Sequence, residues 1–106
     1  MKGAFLALFT SVATATVGVD LSTLASTSTY SCMKSNGMNF AIPRAYCSYG
    51  GVDANGKTNV ANAKAAGIQY VDVYMFPCRS KSATDQVNQL VNALGASMDG
   101  EQTDEP

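Results

Sequence analysis

Histidine is absent from the 106 residues of this chain. That excludes Ser–His and Cys–His nucleophilic pairs and histidine-based zinc sites. Asp, Glu, Lys, Tyr and Cys remain as acid–base groups, and no pattern for a metal or cofactor is present. Past the N-terminus no apolar run is long enough to cross a membrane. Positive charge is not in surplus either, with 7 lysines and arginines against 8 aspartates and glutamates, and nothing resembles a nucleic-acid footprint. Cysteine is sparse and odd in number, at Cys32, Cys47 and Cys78. Three thiols allow three single pairings and leave one over.

Met1-Lys2 opens onto the apolar run "GAFLALFTSVATA", too short to span a bilayer, and Ala13-Thr14-Ala15 fits a small-x-small cleavage pattern. Residues 1–15 are therefore expected to be a signal peptide, with a mature chain starting at Thr16. The expected location is secreted, or the lumen of a secretory or lysosomal compartment, with no membrane attachment after cleavage. What remains is one small domain at most. Its body carries six dispersed cations, read first as a solvated surface and only weakly as an attraction for an anionic polymer. From residue 95 onward the chain adds Asp99, Glu101, Asp104 and Glu105 and no basic residue, so 95–106 is expected to be an acidic, disordered tail.

Between these ends strands and helices alternate. "TVGVDL" is a short apolar run bearing Asp20, and a Ser/Thr-rich loop then leads into a short helix ending at "KSNG". "FAIPRAYC" is strand-like, although Pro43 deprives it of one ladder donor. The glycine-rich "SYGGVDANG" follows, then the Ala-rich helix "TNVANAKAAG", with Thr58 as its expected N-cap and Gly67 past its end. "IQYVDVYMF" is the clearest strand, stopped by Pro77. "SATDQVNQLVNALG" is the clearest helix, with a capping-box pattern at Ser82 and Asp85 and Val87, Leu90, Val91 and Leu94 at helical spacing on one face. Tyr30 and Met33, three apart, read as helix packing. The rhythm indicates an α/β chain with a parallel sheet built from βαβ units. After Gly95 it announces a further strand, but "ASMDGEQTDEP" is polar and acidic.

An aspartate inside the best strand calls for an explanation, because burying an unpaired carboxylate is costly. Residues two apart in a strand share a face. Asp72, Tyr74 and Phe76 then point one way, while Val71, Val73 and Met75 pack under helices. Arg44 and Tyr46 likewise share a face opposite Ala41, Pro43 and Ala45. If the polar face lines the interior and mouth of a (β/α) barrel, Asp72 sits in a wet cleft, where such folds build their sites.

These same residues carry a family resemblance. "GVDLSTLASTSTYSCMKSNGMNFAIPRAYCSYGGVDANG" with "AKAAGIQYVDVYMFPC" closely resembles the start of glycoside hydrolase family 25 lysozymes, in their secreted eukaryotic branch. The likeness runs from about Gly18 to Leu94. It implies an irregular, TIM-like (β/α) barrel of roughly two hundred residues, of which residues 16–94 would form the N-terminal part, about three βα units. It implies cleavage of the β-1,4 bond between N-acetylmuramic acid and N-acetylglucosamine in bacterial peptidoglycan, in antibacterial defence or digestion, with no protein partner. Asp20 falls on the family's active-site carboxylate and is the expected catalytic residue. Tyr74 falls on a cleft tyrosine that orients substrate or carboxylate. Arg44, Tyr46 and Asp72 join it as expected substrate contacts, with Arg44 equally readable as an ion-pair partner of Asp20 or Asp72, and Asp72–Tyr74 as a structural pair.

The family's acid/base glutamate sits in an Asp-x-Glu motif on the fourth strand. Asp99-Gly100-Glu101 has that spacing, but Gly100 and a lone Met98 do not make a buried strand. A general acid needs a partly apolar site and a partner carboxyl about 5 Å away for a retaining outcome. The expectation is a lysozyme by descent that is truncated and weak or inactive as this polypeptide, the alternative being a catalytically dead sugar-binding or interaction remnant. Cys47 and Cys78 end neighbouring strands and are candidates to pair.

Overall fold

The computed structural model of the chain describes residues 16–95. The signal peptide expected at 1–15 and the tail with Asp99 and Glu101 lie outside the described residues. Eight elements follow in order: β1 (Gly18–Leu21), α1 (Thr27–Ser35), β2 (Phe40–Cys47), β3 (Gly51–Val52), α2 (Ala54–Ala65), β4 (Tyr70–Val71), β5 (Tyr74–Met75) and α3 (Ala83–Leu94). The class is α/β, as the alternation predicts. The sheet is five-stranded and open, with β2 paired to each of the other four strands.

The pairs of β2 with β1, β4 and β5 are parallel, in register Gly18↔Phe40, Phe40↔Tyr70 and Arg44↔Tyr74. The β2–β3 pair is antiparallel, which the parallel rhythm did not predict: "SYGGV" makes a tight turn, with Gly50 N donating to Cys47 O at 2.9 Å. The single strand expected over 68–76 is two short pieces. Asn39 O and Ala41 O accept from Tyr70 N and Asp72 N, so every second residue of β2 faces this neighbour. The next in that row is Pro43, which has no N–H to give. The ladder is interrupted there, between β4 and β5, and beside the gap Asp72 Oδ1 accepts from Val73 N at 2.8 Å.

Helix starts are set by side-chain caps. Ser26 Oγ accepts from Thr29 N ahead of α1, and Ser82 Oγ from Asp85 N ahead of α3. α2 begins four residues before the expected Thr58 cap. Asp53 is its N-cap, accepting from Asn55 N at 3.0 Å. Gly56 is thereby inside the helix, where a Cβ would meet Ala45 Cα at 2.7 Å and Arg44 O at 2.8 Å. The glycine lets α2 lie directly on β2.

All three helices cover one side of the sheet. One apolar cluster joins Tyr30 of α1, Ala41, Val60 and Ala63 of α2, Ile68 and Val71. A second joins Ala45, Tyr46, Leu90 and Leu94, with Val73 and Met75 against them. The apolar face of α3 is only partly buried. Leu90 and Leu94 are buried, but Val87 and Val91 are 47% and 59% exposed, and Gln86, at 2%, takes the inward position. No helix among the described residues is long and apolar enough to cross a membrane.

Candidate active site

Residues in register in a parallel ladder share a face. Val19, Ala41 and Val71 align and point into the helix-side core. Gly18, Phe40 and Tyr70 align on the other side, and one same-face step further come Asp20 and Ile42, with Asp72 beside them. This is the open face: Asp20, Tyr70 and Asp72 are exposed, Phe40 and Ile42 half-buried. Phe40, Ile42, Tyr70 and Asp72 line a cavity of about 490 Å³ there. The Phe40 ring fills the space over Gly18 that a Cβ would need.

Asp20 in β1 and Asp72 just past the end of β4 thus flank Ile42 on either side of β2. Two inter-strand spacings put their backbones about 9.6 Å apart. Asp72 lies exposed in the gap between β4 and β5, its carboxylate accepting its own neighbour's N–H, which explains how an aspartate stands in the stretch that reads as the best strand.

Arg44 and Tyr74 form the next same-face row, roughly 6.6 Å nearer the C-terminal strand ends. The guanidinium is not paired with Asp20 or Asp72. Its Nε donates to Asp53 Oδ2 at 2.8 Å, with Arg44 28% and Asp53 7% exposed. Asp53 N in turn donates to Ala45 O at 2.9 Å, so the carboxylate is fixed at both backbone and side chain. Burial alone would push the Asp53 carboxyl up, but the bonds from Arg44 and Asn55, with the Cys47 thiol adding to them, hold it below the usual carboxylate range. The same bond from Arg44 to Asp53 raises the guanidinium further above its ordinary value.

Tyr46 is corrected. The register slips between Arg44 and Tyr46 in a β-bulge, where two steps on β2 match one on β5. A bulge breaks strict alternation, and both Ala45 and Tyr46 turn to the helix side. Tyr46 is fully buried against Leu90 and Leu94, and its hydroxyl donates to Gln89 Oε1 at 2.7 Å. It does not share the Arg44 face.

Two buried amides hold the loops at the C-terminal strand ends, and sequence reasoning missed both. Asn59 of α2, 1% exposed, accepts from Ala25 N and Tyr30 Oη at 2.9 Å each and donates to Thr23 O at 3.1 Å. Asn62 Nδ2 donates to Ala25 O at 2.8 Å, so α2 clasps the loop that follows Asp20. Gln86 of α3 does the same for the turn after β5. The signal was available: Asn59 adjoins Val60 and lies four residues before Ala63, and Gln86 lies four and eight before Leu90 and Leu94. Each is a polar side chain on an apolar helix face.

All three cysteines are free thiols, including the candidate pair. The Ser80 hydroxyl and backbone, with Lys81 nearby, hold the Cys78 thiol below its ordinary value. Among the described residues no cluster of Cys, Asp or Glu is arranged to hold a metal ion.

A one-sided α/β sheet with carboxylates, an arginine and tyrosines on its open face is the class of structure these residues define. The family described as "Lysozyme-like protein 1" matches residues 11–99. A Dictyostelium discoideum protein named "Probable GH family 25 lysozyme 2" is 49% identical over 84 residues, 78% of this chain and 40% of its own length. "Lysozyme-like protein 5" of Caenorhabditis elegans is 46% identical over 90 residues, 84% of this chain and 42% of its own. "Probable GH family 25 lysozyme 4" of Dictyostelium discoideum is 42% identical over 91 residues. No solved structure matches. The chain belongs to the glycoside hydrolase family 25 lysozyme family, and it spans about two fifths of the length of these relatives.

Proposed function

We propose that the open face is part of a muramidase cleft that binds glycan strands of bacterial peptidoglycan, with Asp20 as an active-site carboxylate and Arg44, Asp72 and Tyr74 as substrate contacts in an incomplete (β/α) barrel. The observation that carries this reading is the alignment of these four residues on one solvent-facing side of a sheet whose chain matches lysozymes. Export through cleavage after Ala15 is part of the proposal. Mass spectrometry of the exported protein tests it: an N-terminus at Thr16 would support cleavage there, and retention of residues 1–15 would overturn it.

Hydrolysis by this polypeptide alone is proposed to be weak or nil. Protonating a glycosidic oxygen needs a carboxyl in a partly apolar setting, and on the open face Asp20 and Asp72 are both exposed. A retaining pair also needs carboxyls about 5–5.5 Å apart, whereas these two stand on opposite sides of β2. The second reading, a sugar-binding remnant, draws on the same geometry: the aromatic and apolar floor of Phe40, Ile42 and Tyr70 suits a pyranose ring without any acid. Co-sedimentation with purified peptidoglycan, run beside release of reducing ends, separates them. Binding without release supports the remnant. Release abolished in Asp20→Asn supports the enzyme. Neither binding nor release in folded protein overturns both.

A further inference from the structure

Asp53 belongs to no expected site, yet it is the only acidic residue among the described ones that is buried, and it holds the arginine of the open face. Its position has three determinants: its backbone N–H is tied to Ala45 O, its Oδ1 caps α2 through Asn55 N, and its Oδ2 takes the Arg44 Nε–H. A guanidinium presents five N–H donors in a rigid plane. Here one edge atom is committed to Asp53, and neither Nη is bonded to any described residue. Those terminal nitrogens project from a half-buried stem, in the row of Tyr74.

A guanidinium fixed at Nε and open at Nη is a preorganised receptor for a planar anion. Loss of its rotamer freedom has already been met on folding, so little further ordering is needed on binding. The buried partner also keeps Arg44 from swinging down to neutralise Asp20 or Asp72. In the peptidoglycan reading, on which this inference rests, the two sugars of the repeat differ in their anionic groups. The muramyl residue carries a carboxylate, either the free lactyl group or the acidic stem peptide joined to it, and N-acetylglucosamine carries none.

We infer that Asp53 is a positioning residue that sets Arg44 to receive the muramyl carboxylate, so that the Asp53–Arg44 pair distinguishes the muramyl sugar from N-acetylglucosamine on the open face.

The test is a titration of ¹⁵N-labelled chain with three probes: the disaccharide of N-acetylglucosamine and N-acetylmuramic acid, the same disaccharide bearing its L-Ala–D-Glu stem, and neutral chitobiose. Only Arg44 and Arg79 contribute Nε–H signals, because the chain has two arginines. The expected result is a shift of the Arg44 signal by a muramyl probe and binding about tenfold tighter than chitobiose, the ratio that one charge-assisted contact supplies. Arg44→Gln should bring that ratio to about one, and Arg44→Lys should restore part of it, because a lysine keeps the charge without the fork. Asp53→Asn keeps an N-cap oxygen, so with amide spectra still dispersed the ratio should drop at least about threefold. General loosening of the structure would weaken all probes alike and leave the ratio unchanged.

Preference for the free lactyl form over the stem-bearing form assigns the carboxylate to the sugar, and the reverse assigns it to the peptide. Equal binding of chitobiose and both muramyl probes by the parent overturns the inference while leaving the glycan-binding reading intact. A preference that survives Arg44→Gln also overturns it. Binding of none of the probes overturns the glycan reading, and the inference with it.

Discussion

Gln86 and the backbone of Cys78 hydrogen-bond in both directions, Oε1 accepting from Cys78 N at 2.7 Å and Nε2 donating to Cys78 O at 3.0 Å. The same Nε2 lies 3.0 Å from Lys81 O and 3.2 Å from Ser82 O. One amide therefore satisfies a turn that the chain makes between Pro77 and α3. Gln86→Leu fits the apolar surroundings but strips the part-buried Cys78 N–H and Lys81 O of their partners, while Cys78 O and Ser82 O keep their backbone bonds from Lys81 N and Gln86 N. Each group so orphaned costs about 1–3 kcal/mol, so a loss of about 2–4 kcal/mol is expected in urea unfolding. Gln86→Glu, which accepts but does not donate when ionised, should fall between parent and Gln86→Leu.

Asn59 is the equivalent anchor under Asp20. Its three bonds, at about 1 kcal/mol net each, imply a cost near 3 kcal/mol for Asn59→Ala. Tyr30→Phe removes one of the three and should cost about 1 kcal/mol. Hydrogen exchange at Ala25 N–H reads the local effect: Asn59→Ala should expose it, whereas Tyr30→Phe should leave it protected.

Gly56→Ala sets two effects against each other. In an unpacked helix interior the change gains up to about 1 kcal/mol. Here the new Cβ would lie 2.7 and 2.8 Å from the backbone of Ala45 and Arg44, atoms that move only with the whole strand. Overpacking of this kind costs about 1–3 kcal/mol, so net destabilisation is expected. Because Arg44 is on the displaced segment, its Nε–H signal should shift in the variant spectrum.

The Asp53 carboxyl sits below its ordinary value. A depressed folded value means that the pair adds stability above the unfolded value of about 4 and loses it as pH falls through the folded one. Denaturation midpoints followed from pH 6 downward should therefore decline in that acid window. Asp53→Asn should start lower at pH 6 and lose less on acidification. An equal decline in both proteins would assign the acid sensitivity to other carboxylates.

How much of this was legible in the sequence depends on the range of the interactions involved. Alternation and caps are local, so the α/β class, the Ser82 cap and the facing of Asp72, Tyr74 and Arg44 followed from spacing alone. Tyr46 was misplaced because a bulge cannot be seen from one strand: it exists only in the mismatch between β2 and β5. The start of α2 was misplaced because Gly56 reads as a helix breaker until Ala45 is known to lie against it. Of the two readings of Arg44, the ion pair named Asp20 or Asp72 in place of Asp53, because Asp53 reaches the arginine only through the tight turn and the antiparallel β3.

α3 turns that lesson into a measurement. Periodicity gives Val87, Leu90, Val91 and Leu94 equal claims to the core, since all four fall within one apolar stripe. The fold divides them, with Leu90 and Leu94 under 10% exposed and Val87 and Val91 near or above half, because Gln86 rather than Val87 is drawn inward by the Cys78 turn. Leu90→Ala and Leu94→Ala should each cost about 2–4 kcal/mol. Val87→Ser and Val91→Ser should stay within about 0.5 kcal/mol of the parent in dilute monomeric protein. Equal costs at all four positions would mean that the valines are covered in solution and that α3 packs against something beyond the described residues.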